Sequence, residues 1–232
     1  GSAMRENLAG IEDYTRIASL FQPEQLVKYG ELCLRENEIA YADPGFFRLF
    51  DFELLKGDRA SCLSMPGQVV ITERIARKYF RDEEPMGKIL VFNSNIGKVS
   101  CEVTGVMKEM PSNSHIHYNF LLSYKSLPKW VQEYWYKHET YTYVLLDSRE
   151  RKEEIERAFP GMAEKYKTEE ALKNKTWGVR LVPLEDIHLT PQLGYEAEQK
   201  GNRSAIIALV FAAVAILVIA WINYINLTVA RS

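Results

Sequence analysis

The chain has 232 residues, with 29 Lys and Arg against 31 Asp and Glu and a formal net charge of −2. It holds no Lys/Arg-rich run, which excludes a phosphate-neutralising nucleic-acid surface. Its three cysteines, Cys33, Cys62 and Cys101, are too few for a disulfide framework and form no CxxC, which excludes a zinc ribbon or thioredoxin motif; they read as buried thiols, with one bridge left open in an oxidising compartment.

In chain order, "GSAM" (residues 1–4) reads as a cloning scar and is set aside, and "RENLAGIEDY" has no apolar core for a signal peptide. The fragment is therefore expected to start inside a longer protein. A short helix is expected at 5–9. "IEDYTRIASLF" reads as a strand, and three strand-like runs follow at 25–29, 31–35 and 38–42. Asp43-Pro44 reads as a helix start with Asp43 as N-cap, opening a short helix that buries Phe46, Phe47 and Phe50. "FELLKGD" is a strand ended at Gly57-Asp58. In "GQVVITERIARKYF", Val69 to Ile71 form a buried strand. Thr72 caps a helix with Ile75, Ala76, Tyr79 and Phe80 inside and Arg74, Arg77 and Lys78 outside.

Beyond Pro85 and Gly87, "KILVFN" and "VSCEVTGVM" form a hairpin around "SNIG", and "YNFLLSY" is a further strand. "LPKWVQEYWYKH" reads as a helix or aromatic loop and "TYTYVLL" as a strand. Asp147 and Glu150 read as a capping box for a helix that breaks near Pro160. "GVRLVPLEDIHL" is expected to be the last strand. Hairpins mixed with interspersed helices predict an α+β fold.

The end of the chain, "NRSAIIALVFAAVAILVIAWINYINLTVARS", differs from everything before it. Residues 205–222 are all apolar. Roughly 20 helical residues cross a hydrocarbon core of about 30 Å. Ser204 is the expected N-cap, and the span runs from Ala205 through Phe211 and Leu217 to Ala230. Trp221 belongs at the far interface. Asn223 and Asn226, spaced i and i+3, share one face and want either a partner helix or headgroup depth. A soluble core helix is the alternative, though such helices are seldom apolar all round. Leaving several hundred Å² of apolar surface in water is costly at about 25 cal/mol per Å², so the tail is expected to be covered by lipid, detergent or another chain.

Candidate chemistry is sparse. His115 and His117 would point to one side if on a strand, yet no carboxylate or thiol completes a metal site. His138 and His188 stand alone. The acids in "RDEEP" lie where solvation is expected, and "ERKEEIER" reads as a solvated helix face. GxSxG, GxGxxG and the P-loop are absent, so no nucleotide hydrolysis by the usual route is expected. The aromatics of 41–58 and 130–136 suit either core packing or a groove for an apolar ligand or partner.

Four segments in order carry a resemblance. "ADPGFFRLFDFELLKGD" is similar to the start of the MacB-like periplasmic core domain, and "VVITERIARKYFRDEEPMGKIL" with "CEVTGVMKEMP" resembles its middle. "LEDIHL" with the apolar tail resembles the entry into the second transmembrane helix of FtsX/MacB-type ABC permeases, of the stand-alone kind found in Bacteroidetes-type bacteria. The resemblance marks Asp43, Phe47, Gly57, Glu73, Phe80, Pro85, Gly87, Gly105 and His188 as structural motif positions.

It implies a two-lobed extracytoplasmic domain, with 5–60 and 112–193 as the membrane-proximal lobe and 61–111 as the inserted lobe. Residues 194–203 would be a connector and 204–230 the transmembrane helix. It also implies a non-enzymatic role without cofactor: coupling ATP-driven helix motion to extrusion outside the inner membrane. The implied partners are a cytoplasmic ATP-binding subunit on a separate chain, a second or paired permease, membrane lipid, and a periplasmic or outer-membrane protein. An FtsX-like module regulating a cell-wall hydrolase and a membrane-anchored sensor are the alternatives. A permease would be followed by further spans, a sensor by signalling sequence.

Overall fold

A computed structural model describes residues 1–19, 24–132, 140–167, 174–189 and 203–230. The chain divides into two units, Gly1–Leu181 and Val182–Ser232. The first is α+β.

Among its described residues ten strands form one mixed sheet: β1 (Ile11–Ala18), β2 (Gln25–Tyr29), β3 (Leu32–Glu36), β4 (Ile39–Ala42), β5 (Leu54–Gly57), β6 (Gln68–Thr72), β7 (Ile89–Ser94), β8 (Gly97–Met107), β9 (Phe120–Ser123) and β10 (Thr140–Leu146). Their order is β10-β1-β4-β9-β6-β8-β7-β2-β3, with β5 also on β8. β4–β9 and β6–β8 are parallel and the other pairs antiparallel. Segments expected in different lobes share this sheet: β2 pairs with β7, and β9 with β6.

Helices cover both faces, which explains why the central strands read as unbroken apolar runs. On one face Tyr41, Val69, Ile71, Phe92, Val103 and Phe120 pack against Ile75, Tyr79 and Phe80 of α3 (Glu73–Phe80). On the other, Ile17, Ala40, Val70, Met107 and Leu121 meet Phe46, Phe47 and Phe50 around α2 (Phe46–Leu49) and Leu63. The period of two is visible in β6, where Val69 and Ile71 face one side and Val70 the other. Beyond the short α4 (Lys129–Gln132), a third cluster joins Met4 and Leu8, from and just beyond α1 (Ser2–Asn7), to Ile155 and Met162 of α5 (Arg151–Glu164).

Several local expectations change. Residues set aside as a scar take part in α1, and Ala3 and Met4 are buried. The N-cap of α2 is Gly45, because the carboxylate of Asp43 is drawn instead to Arg16. Glu150 is the N-cap of α5 without a side-chain bond; Asp147 forms an ion pair with Arg151. Pro160 lies inside α5 and does not end it: its ring removes one N–H but the packed face with Ile155, Met162 and Ala163 carries the helix on. The expected last strand is not one. Residues 178–183 take no regular structure, and Leu184–Leu189 is a 3-10 helix that contains His188. Pro183 cannot donate to a ladder, and the N–H of Leu181 bonds the Glu156 carboxylate at 2.7 Å. Cys33 is exposed, whereas Cys62 and Cys101 are buried; all three are free thiols.

The second unit contains α6 (Arg203–Ala230). Ser204 lies within it instead of capping it, a one-residue shift of the kind common at helix ends. Its segment Ile207–Leu227 is long and apolar enough to cross a membrane and buries none of that window.

Candidate functional site

The polar groups in the body are arranged as ties between elements. Arg16 on β1 donates to Asp43 through Nε at 2.7 Å and Nη2 at 3.0 Å, and its backbone N–H bonds Oδ2 at 3.0 Å. The guanidinium lies 3.9 Å from the ring centroid of Tyr124. This bidentate, stacked geometry is one that Arg satisfies and Lys does not. Burial works against the charge on Arg16, but the bonds it donates to Asp43 outweigh this and raise its pKa.

A second tie is built on Glu36, which is 5% exposed at the end of β3. It accepts from Tyr79 Oη at 2.8 Å and pairs with Lys78 Nζ at 2.7 Å, joining the sheet to α3. Burial, then the bond to Glu36, pushes the Tyr79 hydroxyl pKa upward. A third surrounds Glu38, a non-glycine residue at φ +56°. Its carbonyl accepts from Asn119 N at 2.7 Å and its carboxylate from Asn119 Nδ2 at 2.7 Å, while Arg74 Nη2 donates to Asn119 Oδ1 at 2.6 Å. These three bonds hold a backbone conformation that costs roughly 1 kcal/mol or more.

The motif positions fall into two groups. Gly57, Gly87 and Gly105 gather along β8: Gly57 is the cross-strand partner of Gly105, and Gly87 N–H bonds Val103 O at 2.9 Å. At Gly57 (φ +97°) a Cβ would lie 2.4 Å from Thr104 O, so no other residue fits without backbone movement. Pro85 is buried in the turn before β7. Asp43, Phe47, Glu73 and Phe80 sit at helix ends or on helices: Phe47 packs edge-on to Phe46 at 5.1 Å, Phe80 edge-on to Tyr29 at 4.6 Å, and Glu73 pairs with Arg77.

His115 and His117 lie off any strand. His115 Nε2 lies 3.1 Å from Tyr143 Oη and His117 Nε2 3.0 Å from Pro111 O. His138 and residues 133–136 of the aromatic segment lie outside the described residues, as does the connector up to 202. The "RDEEP" acids are exposed, with Glu83 paired to Lys88 and Glu84 to Lys56. Burial pushes the Cys62 thiol up to about 11 and the Cys101 thiol to about 12, which makes both poor nucleophiles.

Residues 2–161 match the family model described as the MacB-like periplasmic core domain. The chain belongs to this family. The fold is similar to that of solved structures. A domain described as a permease protein from Porphyromonas gingivalis superposes with a TM-score of 0.61 at 23% identity, covering 78% of this chain and 80% of that one. The periplasmic region of MacB from Actinobacillus actinomycetemcomitans gives 0.52 at 15% identity, covering 71% and 72%. The extracellular domain of the noncanonic ABC-type transporter YknZ from Gram-positive bacteria gives 0.50 at 15%, covering 71% and 81%. No curated protein matches. In this MacB-like domain, sequence reasoning missed Arg16, Glu36 and the Glu38–Asn119–Arg74 tie. Strand parity could have found Glu36, which shares the inward side of β3 with Leu34.

Proposed function

We propose that this MacB-like domain is the extracytoplasmic part of an ABC permease, held to the inner membrane by α6, and that it couples ATP-driven movement of the spans to extrusion of a substrate outside that membrane. The observation that carries the reading is the pairing, in one chain, of a matched periplasmic core domain with a helix of membrane-crossing length. Its buried carboxylates, Asp43 and Glu36, are taken up in ties within the fold, which supports a non-enzymatic role. The ATP-binding subunit is a separate cytoplasmic chain, and the permease works as a pair with a periplasmic or outer-membrane partner.

Topology is tested with the exposed thiol of Cys33. In cells with a permeabilised outer membrane but intact inner membrane, an impermeant maleimide labels Cys33 before lysis; labelling only after lysis refutes the placement. Deleting the gene should raise sensitivity to exported compounds at normal cell shape. Altered septation with unchanged sensitivity would instead favour control of a cell-wall hydrolase.

A further inference from the structure

The sheet ends on β3, whose outer edge has no strand partner among the described residues. We propose that this edge pairs, antiparallel, with β3 of a second copy of this chain, centred on Cys33. The inference is independent of the function proposed above.

The hydrogen-bonding parity is fixed by the hairpin. Tyr29 pairs with Leu32 across the two-residue turn Gly30–Glu31, with Gly30 at φ +55°. That closing pair is the hydrogen-bonded one, so alternation directs the backbone groups of Leu32, Leu34 and Glu36 toward β2. Those of Cys33 and Arg35 point to the open edge. Unpaired edge groups are a template for another strand, and β3 lacks the proline or lysine that commonly blunts one.

The side chains select the register. Leu34 and Leu32 share the inward side, yet Leu32 is 38% exposed and Leu34 only partly buried. Cys33 and Arg35 lie on the outward side and are exposed. A two-fold pairing centred on Cys33 sets each Leu32 opposite the partner's Leu34 and each Glu31 opposite the partner's Arg35. Centring on Leu34 instead sets Arg35 opposite the partner's Cys33 and Leu32 opposite the partner's Glu36, and the charges find no opposites. The self-complementary arrangement of Glu31 and Arg35 therefore fits a second copy of the chain. Among the described residues of one copy Arg35 meets Glu24 in an exposed contact at 3.4 Å.

The thiols provide the probe. Cross-strand residues in a hydrogen-bonded antiparallel pair lie about 5.5 Å apart between Cα atoms, inside the range a disulfide spans. The full chain in detergent is treated with copper phenanthroline, which takes two electrons and two protons from a pair of thiols. We expect a Cys33–Cys33 dimer to form at least about tenfold faster than the dimer of a Cys33→Ser, Thr142→Cys control, whose thiol lies on the opposite terminal strand, β10. Arg35→Glu should slow the reaction about tenfold by placing like charges opposite each other. Glu31→Arg combined with Arg35→Glu should restore it. A rate equal to the control, indifference to Arg35→Glu, or failure of the double variant to recover while its circular dichroism matches the parent would each overturn the pairing.

Discussion

Replacing Asp43 by Ala distinguishes two readings of this residue. As a helix N-cap it would stabilise by about 0.5–2 kcal/mol, and its effect would be independent of Arg16. In the structure the Asp43 side chain is 8% exposed and that of Arg16 19%, and the carboxylate accepts three bonds from Arg16. Removing one partner of a buried pair leaves an uncompensated charge, which costs about 3–5 kcal/mol. For a body of this size about 2–4 °C of melting temperature accompanies each kcal/mol, so a fall of roughly 6–20 °C is expected. Arg16→Met removes the charge that Asp43→Ala would strand. The double variant should therefore lose less than the sum of the singles, with a coupling of about 1–3 kcal/mol. The assay is thermal unfolding of the full chain in detergent, followed by near-ultraviolet circular dichroism. A loss near 1 kcal/mol for Asp43→Ala together with additivity would refute the ion-pair account and restore the cap.

Gly57→Ala should destabilise the body by about 2 kcal/mol or more in the same assay, because the new methyl meets Thr104 O and the positive φ is strained. Thiol protonation predicts a pH dependence. Cys62 and Cys101 have pKa values raised by burial, so between about 9 and 11 the unfolded chain has released protons that the folded chain retains. Stability is then complete below pH 9 and falls by about 1.4 kcal/mol per pH unit for each thiol, and Cys101→Val should flatten the denaturant midpoint's alkaline decline. Leu217→Arg, near the middle of α6, should raise the apparent free energy of membrane insertion by about 2.5–3.5 kcal/mol; an unchanged inserted fraction would show that the helix does not span.

Where the signal was periodic, the sequence spoke clearly. The Thr72 cap and the inward set on α3, the hairpin of β7 and β8, and the apolar helix α6 all follow from local pattern and turn chemistry. It was silent where an interaction joins residues far apart in the chain. Nothing near Asp43 names Arg16, so the Asp-Pro pair reads as a cap until the neighbouring strand supplies a stronger partner. Pro160 misleads in the same way, since a local break signal is overridden by what the helix face packs against. The stretch before Leu184 alternates like a strand, but no strand pairs with it among the described residues. The motif glycines Gly57 and Gly105 gain meaning only from their mutual register on β5 and β8.

The distribution of polar groups bears on what such a body can do. Asp43, Glu36 and Asn119 are each nine-tenths buried or more, and each binds a side chain from another element. The three ties link β1 to the start of α2, β3 to α3, and the loop before β9 to both β4 and α3. Each resists sliding of a helix or strand along the sheet, because a displacement of even 1 Å would break charge-assisted bonds, those of Asp43 and Glu36 in a water-poor setting. A sheet whose covering helices are fastened in this manner deforms little under load. That stiffness is what the proposed coupling requires of an outer domain, since a body that yields internally would absorb a movement before any partner felt it. The Asp43→Ala and Arg16→Met variants therefore reach beyond stability: a permease carrying either should retain assembly at temperatures where the body stays folded, yet lose transport in proportion to the loosening of this tie.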